Sequence, residues 1–291
     1  MKALSHIAVV LFVIVSHFHT SKLRADEGGT PARNVPAAPS GEEPSTLRIE
    51  VLKENWGDAP AADILAVCVS AGSELTKYFH GRRFSPIQVG NSERGVPITL
   101  FKKGPNGEIR VELTTRGTFW CQYAYQFGHE LCHILCNCRP DQNPQKWFEE
   151  SLCETASIFV VRRMAESWRI APPYPNWSSY ADALAKYADE HVSKTDTINE
   201  ASFAEWYRLH QTGLQMTGTN RQLNQIVAVR VLLPLLEKEP RHWRSLNWLN
   251  QWDPNDRLTF TDYLQDWHTR VPDEHKPFVA AIAAQFETLL K

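Results

Sequence analysis

The segment Gln126–Leu135, which reads QFGHELCHIL, constrains the fold of this chain more than any other stretch. It carries two histidines four residues apart, and a glutamate directly follows the first of them. Residues at this spacing lie one turn apart on the same face of an α-helix, so the imidazoles of His129 and His133 can bind one metal ion. The flanking side chains are mostly apolar or aromatic, whereas a chance pair of exposed histidines would more often lie among charges. We therefore predict a buried helix that presents two metal ligands.

The glutamate between the histidines gives this helix a chemical role. Glu130 lies beside the two imidazoles on the adjoining face, where its carboxylate can take a proton from a water molecule on the metal. Neutral imidazoles and a carboxylate suit Zn²⁺, and three protein ligands leave one position open for water. A purely structural zinc site would close that position. The pattern thus predicts one catalytic zinc ion per chain, with Glu130 as the catalytic base.

A pair of glutamates further along the chain supplies a candidate third ligand. Sixteen residues lie between His133 and Glu150, and the stretch Asn137–Gln145 within them holds two prolines among turn-forming residues. We expect two antiparallel helices joined by this loop, which would bring Glu150 against the histidines. Glu154 lies four residues further on the same face, where it can hydrogen-bond the far nitrogen of a zinc-binding imidazole and orient the ring. Such pairs more often lie on a solvated helix face, but the neighbours of these two are largely aromatic or aliphatic.

These motifs resemble those of the gluzincin metallopeptidases, the thermolysin-like and aminopeptidase-like group. In that family, a HExxH helix is followed by a second helix that carries a glutamate ligand and an acidic residue four positions on. The resemblance implies that His129, His133 and Glu150 are the zinc ligands. It also implies that Glu130 is the general base and that Glu154 is the acid that supports a ligand.

The resemblance covers roughly residues 109–158 and also implies a fold. In the family, a sheet whose edge strand pairs with substrate precedes the active-site helix, and a helical half follows. Glu108–Thr115 is the candidate for that edge strand. The metzincin pattern fits less well, because it needs a glycine and a third histidine soon after His133, where this chain has Cys136 and Cys138.

Two features depart from the gluzincin pattern. Ser151 stands where the family often has Gly or Ala. In addition, no Tyr or His motif marks the group that stabilises the tetrahedral oxyanion. Tyr207 and His210, on a predicted helix Phe203–Leu214, are the candidates, although each also suits an ordinary helix-surface or core position.

The hydrophobic pattern as a whole predicts the α+β fold class, and the resemblance implies a zincin-like arrangement. A small mixed α/β part with the edge strand and the HExxH helix spans residues 46–145, and an all-helical part with the third ligand spans residues 146–291. Strands are predicted at about Leu47–Val51, Ile87–Val89, Ile98–Lys102 and Glu108–Thr115. Helices are predicted at Ala61–Phe79, Phe119–Leu135, Trp147–Trp168, Tyr180–Val192, Phe203–Leu214 and Leu223–Glu237, with two or three more before the C-terminus.

The N-terminus predicts export. Lys2, the short apolar run Ala8–Val15 and the small residue Ala25 form a signal peptide over residues 1–25, with an uncleaved membrane anchor as the alternative. Residues 26–45 are rich in Gly, Pro, Ala, Glu and Ser, which predicts a disordered linker. No later segment is apolar and long enough to span a bilayer. We expect a secreted or periplasmic protein, and the net charge of −2 gives no reason to expect a nucleic-acid partner.

The chain has six cysteines, and five of them lie between residues 121 and 153. An even number in an exported protein favours disulfides. Cys136 follows His133, and Cys153 follows Glu150, by about one helical turn, so we expect at least one disulfide in this segment, with Cys136–Cys153 as the candidate pair. Two alternatives stay open: a sulfur-based zinc site, and Cys136 as a ligand, since it shares a helix face with the histidines.

Together these features predict a zinc-dependent peptidase that hydrolyses bonds in a peptide or protein substrate. The alternative is a catalytically inactive, zinc-stabilised binding protein of the same fold, which the missing oxyanion motif favours. An extracellular adhesion module with a chance HExxH sequence would bind no metal.

Overall fold

The computed structural model describes residues 46–137, 139–140, 143–195, 202–253 and 255–291. The predicted signal peptide and linker, and Cys138, lie outside the described residues.

A four-stranded sheet forms the first part of the described chain. Its strands are β1 (Ile49–Val51), β2 (Ile87–Asn91), β3 (Ile98–Thr99) and β4 (Ile109–Leu113), in the order β1-β2-β4-β3. β1 pairs with β2, and β2 with β4, in parallel, whereas β3 runs antiparallel to β4. All four predicted strands are therefore present, and β2 is almost entirely buried.

The prediction that Glu108–Thr115 is an edge strand was wrong. Glu108–Thr115 contains β4, which lies inside the sheet between β2 and β3. The turn at Gly104–Gly107 folds the chain back on itself, with Gly104 and Glu108 joined by a backbone hydrogen bond of 2.9 Å. This hairpin places β3 against the side of β4 that would otherwise be free. β3 is therefore the outer strand on this side of the sheet, and it lies beside Trp120–Leu135, the first helix of the candidate metal centre.

Two helices pack on the sheet, and a third packs on both of them. α1 (Ala61–Thr76) buries the stripe of Ile64, Val67, Cys68, Ala71 and Leu75, as its helical spacing predicts. α2 (Trp120–Leu135) contacts both α1 and the last two strands. α3 (Lys146–Ile170) is buried along most of its length and makes its largest contact with α2.

α2 and α3 run antiparallel, as the sequence predicts. Residues late in α2 meet residues early in α3, and residues early in α2 meet residues late in α3. Gly128 marks the close approach, because a Cβ there would lie 3.4 Å from Val160 and 3.5 Å from the carbonyl oxygen of Ala156. The missing side chain lets the two backbones come close, and this brings His129 against α3.

Six further helices complete the second part of the described chain: α4 (Ala181–Ser193), α5 (Phe203–Met216), α6 (Arg221–Val227), α7 (Leu233–Lys238), α8 (Phe260–Arg270) and α9 (Lys276–Gln285). The predicted helix Leu223–Glu237 is divided into α6 and α7 by a π-helical turn, Ala228–Leu232. Pro234 accounts for this turn, because proline lacks an N–H and its ring clashes with the carbonyl four residues earlier. None of the described helices has the length and apolar character needed to cross a membrane.

A sheet followed by helices agrees with the predicted α+β class. One cluster of buried apolar side chains extends from Trp56 to Phe286 and joins both parts. Many of its largest members are tryptophan, tyrosine and phenylalanine, so the aromatic residues of this chain mainly fill the core.

Candidate metal centre

The facing surfaces of α2 and α3 bring the predicted ligands together. The Nε2 atoms of His129 and His133 approach the same carboxylate oxygen, Oε2 of Glu150, at 3.4 and 3.9 Å. Two ligand atoms bound to one tetrahedral zinc ion lie roughly 3.3–3.6 Å apart, given zinc–ligand bonds of about 2.0–2.2 Å. The two nitrogen–oxygen distances are thus near the range that a shared ion requires.

A cysteine lies in the same place. Nitrogen atoms of His129 and His133 and the Sγ atom of Cys153 all lie within 4.8 Å of one another, so these residues form a group that could hold a metal ion. Cys153 is fully buried, whereas Glu150 keeps some solvent exposure. The centre therefore has two candidate third ligands, the Glu150 carboxylate and the Cys153 thiol, one turn apart on α3.

The carboxyl group of Glu150 is held in its ionised form. Burial acts to raise its pKa, but the hydrogen bond to His129 and the positive charges of His133, His129 and Lys146 outweigh burial and lower the pKa to about 2. An ionised carboxylate is the form that binds a cation.

The far side of His133 is held by a carboxylate that the sequence analysis did not single out. Nδ1 of His133 lies 2.6 Å from Oε1 of Glu149. The other oxygen of Glu149 accepts a hydrogen bond of 2.6 Å from the side-chain amide of Asn250, whose own oxygen accepts one from Tyr263. Asn250 adopts a left-handed backbone conformation with φ of 57°. This chain of contacts fixes the ring of His133 with Nε2 towards the centre.

The far side of His129 is less tightly held. Its Nδ1 atom is buried without a hydrogen bond in the described part of the chain and lies 3.9 Å from Oε1 of Glu154. Glu154 itself is buried and bonded elsewhere: it accepts hydrogen bonds from the hydroxyl of Tyr125 and, at 2.9 Å, from Nε of Arg221. Glu154 thus lies where predicted, although it does not reach hydrogen-bond distance of His129.

The predicted base is buried beside the ligands. Glu130 is 2% exposed, and the hydroxyl of Thr99, on the edge strand β3, lies 2.9 Å from its Oε2 atom and 3.0 Å from its backbone carbonyl. Because a hydroxyl has one hydrogen, Thr99 donates to one of these oxygens at a time. The contact ties the edge strand to the helix that carries both histidines.

The two oxyanion candidates lie in other surroundings. Tyr207 packs its ring against Trp147, Phe260 and Phe286, and burial raises its pKa to about 12. His210 stacks on a tryptophan of its own helix and hydrogen-bonds that residue's carbonyl oxygen at 2.8 Å. The structure gives neither residue a contact with His129 or Glu130. No oxyanion group is therefore placed at the centre by these two side chains.

The cysteines near the centre are free thiols. The same holds for every cysteine that the structure describes, namely Cys68, Cys121, Cys132, Cys136 and Cys153. Cys132 and Cys136 approach to 3.9 Å between their Sγ atoms, and the predicted Cys136–Cys153 bridge is not formed. Burial raises the pKa values of Cys132, Cys136 and Cys153 well above the usual range, which keeps these thiols protonated.

The sequence therefore indicated His129, Glu130, His133 and Glu150, and Glu154 beside them, but missed the other side chains that hold this site. Glu149 could have been considered as a partner of a histidine, because it is an acidic residue directly before the predicted ligand, sixteen positions after His133. Cys153 also carried one, since it shares a face of α3 with Glu149. Asn250 and Arg221 carried none, because only the folded chain brings them to α3.

Comparison of the whole chain with protein-family models, with curated proteins and with solved structures gives no match.

Proposed function

We propose that this protein is a zinc-dependent peptidase that binds its metal through His129, His133 and Glu150. The observation that carries this proposal is the convergence of both Nε2 atoms on one ionised carboxylate oxygen of Glu150. Two imidazoles and a carboxylate that face one another inside a helix pair are unfavourable there unless they are paired, because buried polar groups are costly. A bound cation would interact with all three groups and offset that cost.

The donor set suits zinc. Imidazole nitrogen and carboxylate oxygen are ligands that zinc accepts, and three such ligands leave a position open for water or substrate. When bound, zinc supplies a Lewis acid that makes a water molecule more acidic and polarises a peptide carbonyl. Glu150 is preferred to Cys153 as third ligand because its oxygen lies between the Nε2 atoms and its carboxylate is ionised without the metal.

The side chains around the metal position have different roles in the proposed reaction. Glu130 accepts the proton of the attacking water and passes it to the leaving amine. Thr99 of β3 holds the Glu130 carboxylate against α2. The outer edge of the same strand remains open for an extended peptide. Glu149 fixes the tautomer of His133, so that Nε2 keeps its lone pair for the metal.

The decisive experiment compares Glu130→Gln, Glu150→Gln and Cys153→Ser with the parent protein. Each is purified from zinc-containing medium, and bound zinc and hydrolysis of a broad peptide library are measured. We expect one zinc per chain and peptide cleavage for the parent and for Cys153→Ser. Glu130→Gln should keep its zinc but cleave at least about 100-fold more slowly, because general-base assistance contributes about 10²–10⁴ in rate.

The outcome for Glu150→Gln separates the two candidate ligands. It should lose zinc and activity together if Glu150 is the third ligand. Zinc retained in Glu150→Gln and lost in Cys153→Ser would instead assign the thiol as ligand. A parent protein that binds one zinc and cleaves no peptide would replace the peptidase with the inactive, zinc-stabilised binding protein.

A further inference from the structure

A cavity of about 260 Å³ opens beside the metal centre. Among the described residues, its walls come from Phe101 just after the edge strand, from Arg139, from Lys146 at the start of α3, and from Asn250 and Trp252. Glu149 joins the cavity to the centre, because it lines the cavity and also holds the far side of His133.

Two side chains in the wall of this cavity carry hydrogen-bond donors that have no acceptor within the described residues. The Nε and Nη2 atoms of Arg139 and the Nε1 atom of Trp252 are shielded from solvent and make no hydrogen bond there. Leaving a buried donor unpaired is unfavourable, and more so when the donor is charged. A wall that combines a guanidinium with an indole N–H is therefore incomplete without an acceptor.

The acidic residue in the wall does not meet this need. Glu149 is already engaged through both carboxylate oxygens, one with His133 and one with the side-chain amide of Asn250. Lys146 adds a second positive charge at the exposed rim. The charge balance around the cavity thus favours an anionic group with oxygen acceptors, and a carboxylate has the two oxygens that match the fork of an arginine.

We propose that this cavity is a carboxylate-binding subsite of the peptidase, and that the substrate carries a carboxylate next to the bond that is cleaved. The inference rests on the proposed function. The carboxylate accepts hydrogen bonds from the guanidinium of Arg139 and from the indole of Trp252, while the scissile bond lies over His129, His133 and Glu150. Both an acidic side chain and the C-terminal carboxylate of a peptide present this chemistry.

Matched peptides distinguish the two sources. One set differs only by Glu or Gln at each position around the cleaved bond, and a second set differs only by a free or an amidated C-terminus. We expect one of these changes to lower kcat/KM roughly 10- to 100-fold in the parent protein, as loss of a hydrogen bond to a charged group does. Arg139→Gln should remove that preference, and Arg139→Lys should restore part of it.

Binding is measured separately from turnover. Isothermal titration of the zinc-loaded Glu130→Gln protein with the same peptides reports affinity without cleavage, and Arg139→Gln in that background should weaken the carboxylate peptide by the same factor. Arg208→Gln is the matched control, since this arginine lies on the exposed face of α5, where its side chain is 64% exposed. It should leave every preference unchanged.

The possible failures can be told apart. Equal cleavage and equal binding of all matched peptides overturns the carboxylate subsite while the peptidase stands. If no peptide is cleaved, the peptidase fails, and the titration still decides the subsite by the effect of Arg139→Gln. A preference that survives in Arg139→Gln also overturns the assignment, because the carboxylate is then recognised elsewhere.

Discussion

Three glutamates within one and a half turns of α3 face the histidines of α2, and their surroundings give each a different task. Glu150 points to the Nε2 atoms, Glu149 holds the back of His133, and Glu154 is bonded mainly to Tyr125 and Arg221. The sequence could assign Glu150 from its motif, but it could not divide the supporting tasks. Neighbours on a helix point about 100° apart, so that division depends on how α3 is rotated against α2.

Substitution of the two supporting glutamates should separate these tasks. Glu149→Ala removes a contact of 2.6 Å to a ligand ring, and we expect zinc affinity to fall roughly 10- to 100-fold, as such losses commonly do. Glu154→Ala should weaken zinc by less, because its oxygen is 3.9 Å from His129. Its larger effect should be on folding, where the buried hydroxyl of Tyr125 loses its partner at a cost of about 1–2 kcal/mol.

Competition with a chromogenic chelator measures the zinc affinity, and urea unfolding of the zinc-free proteins measures stability. The critical result is which of the two variants binds zinc more weakly. If Glu154→Ala weakened zinc more than Glu149→Ala, His129 would depend on Glu154 more than their separation allows, and the tasks assigned here would be reversed.

At the scale of elements, periodicity predicted most of the fold near the centre. The predicted helices Phe119–Leu135 and Trp147–Trp168 correspond closely to α2 and α3, because long amphipathic or buried segments carry a strong signal. The edge strand was assigned wrongly. Alternation predicts that Glu108–Thr115 is a strand but not which neighbours it pairs with, so the sequence did not show that the predicted strand Ile98–Lys102 lies on its outer side.

α4 carries a buried histidine that should make stability depend on pH. His191 stacks on Tyr125 and packs at a tilt against Tyr187, with ring centroids 4.3 and 4.8 Å away. Burial, followed by the positive charges of Lys194 and Arg221, lowers its pKa to about 3. The unfolded chain takes up a proton at this residue below about pH 6.5, whereas the folded protein does not until about pH 3. Its neutral form therefore favours folding above pH 6.5, and this advantage is lost progressively as the pH falls towards 3.

His191→Phe tests this expectation, because phenylalanine keeps the aromatic stack and cannot titrate. Between pH 7.5 and pH 5, the zinc-free parent should lose about 1–2 kcal/mol more unfolding free energy than the variant. The buried pair His242 and His275 remains in both proteins, so its titration cancels in the comparison. Parallel pH profiles for the two proteins would show that His191 is as easily protonated in the folded state as in the unfolded chain.

At the scale of the whole molecule, the metal centre joins the two parts that the sequence distinguishes. The histidines and the base lie on α2 in the first part, and Glu150 lies on α3 in the second. Further support comes from Arg221 and Asn250, which approach α3 from 67 and 101 residues beyond their partners. Contacts over such separations depend on the packing of all the helices between them. Local patterns could therefore predict the proposed ligands but not the side chains that hold them.

Because the centre joins distant parts of the chain, removing the metal should destabilise the whole protein. An ion that binds only the folded state adds a stability of RT ln(1 + [L]/Kd), about 4 kcal/mol when free zinc is 1,000 times its Kd. For a chain of this size, each kcal/mol of unfolding free energy that is lost lowers Tm by about 2–4 °C, so a chelator should lower Tm by about 10 °C.

Calorimetry with and without the chelator, on the parent protein and two variants, checks the origin of this shift. Glu130→Gln should show the full shift, because its carboxylate is not needed to hold the ion. His133→Ala lacks a ligand and leaves Glu149 without its partner, so it should melt at a lower temperature and respond little to the chelator. A parent protein that binds one zinc yet melts at the same temperature after chelation would bind that zinc equally well when unfolded. The ion would then not lie between α2 and α3, and the assignment of His129, His133 and Glu150 as its ligands would fail with it.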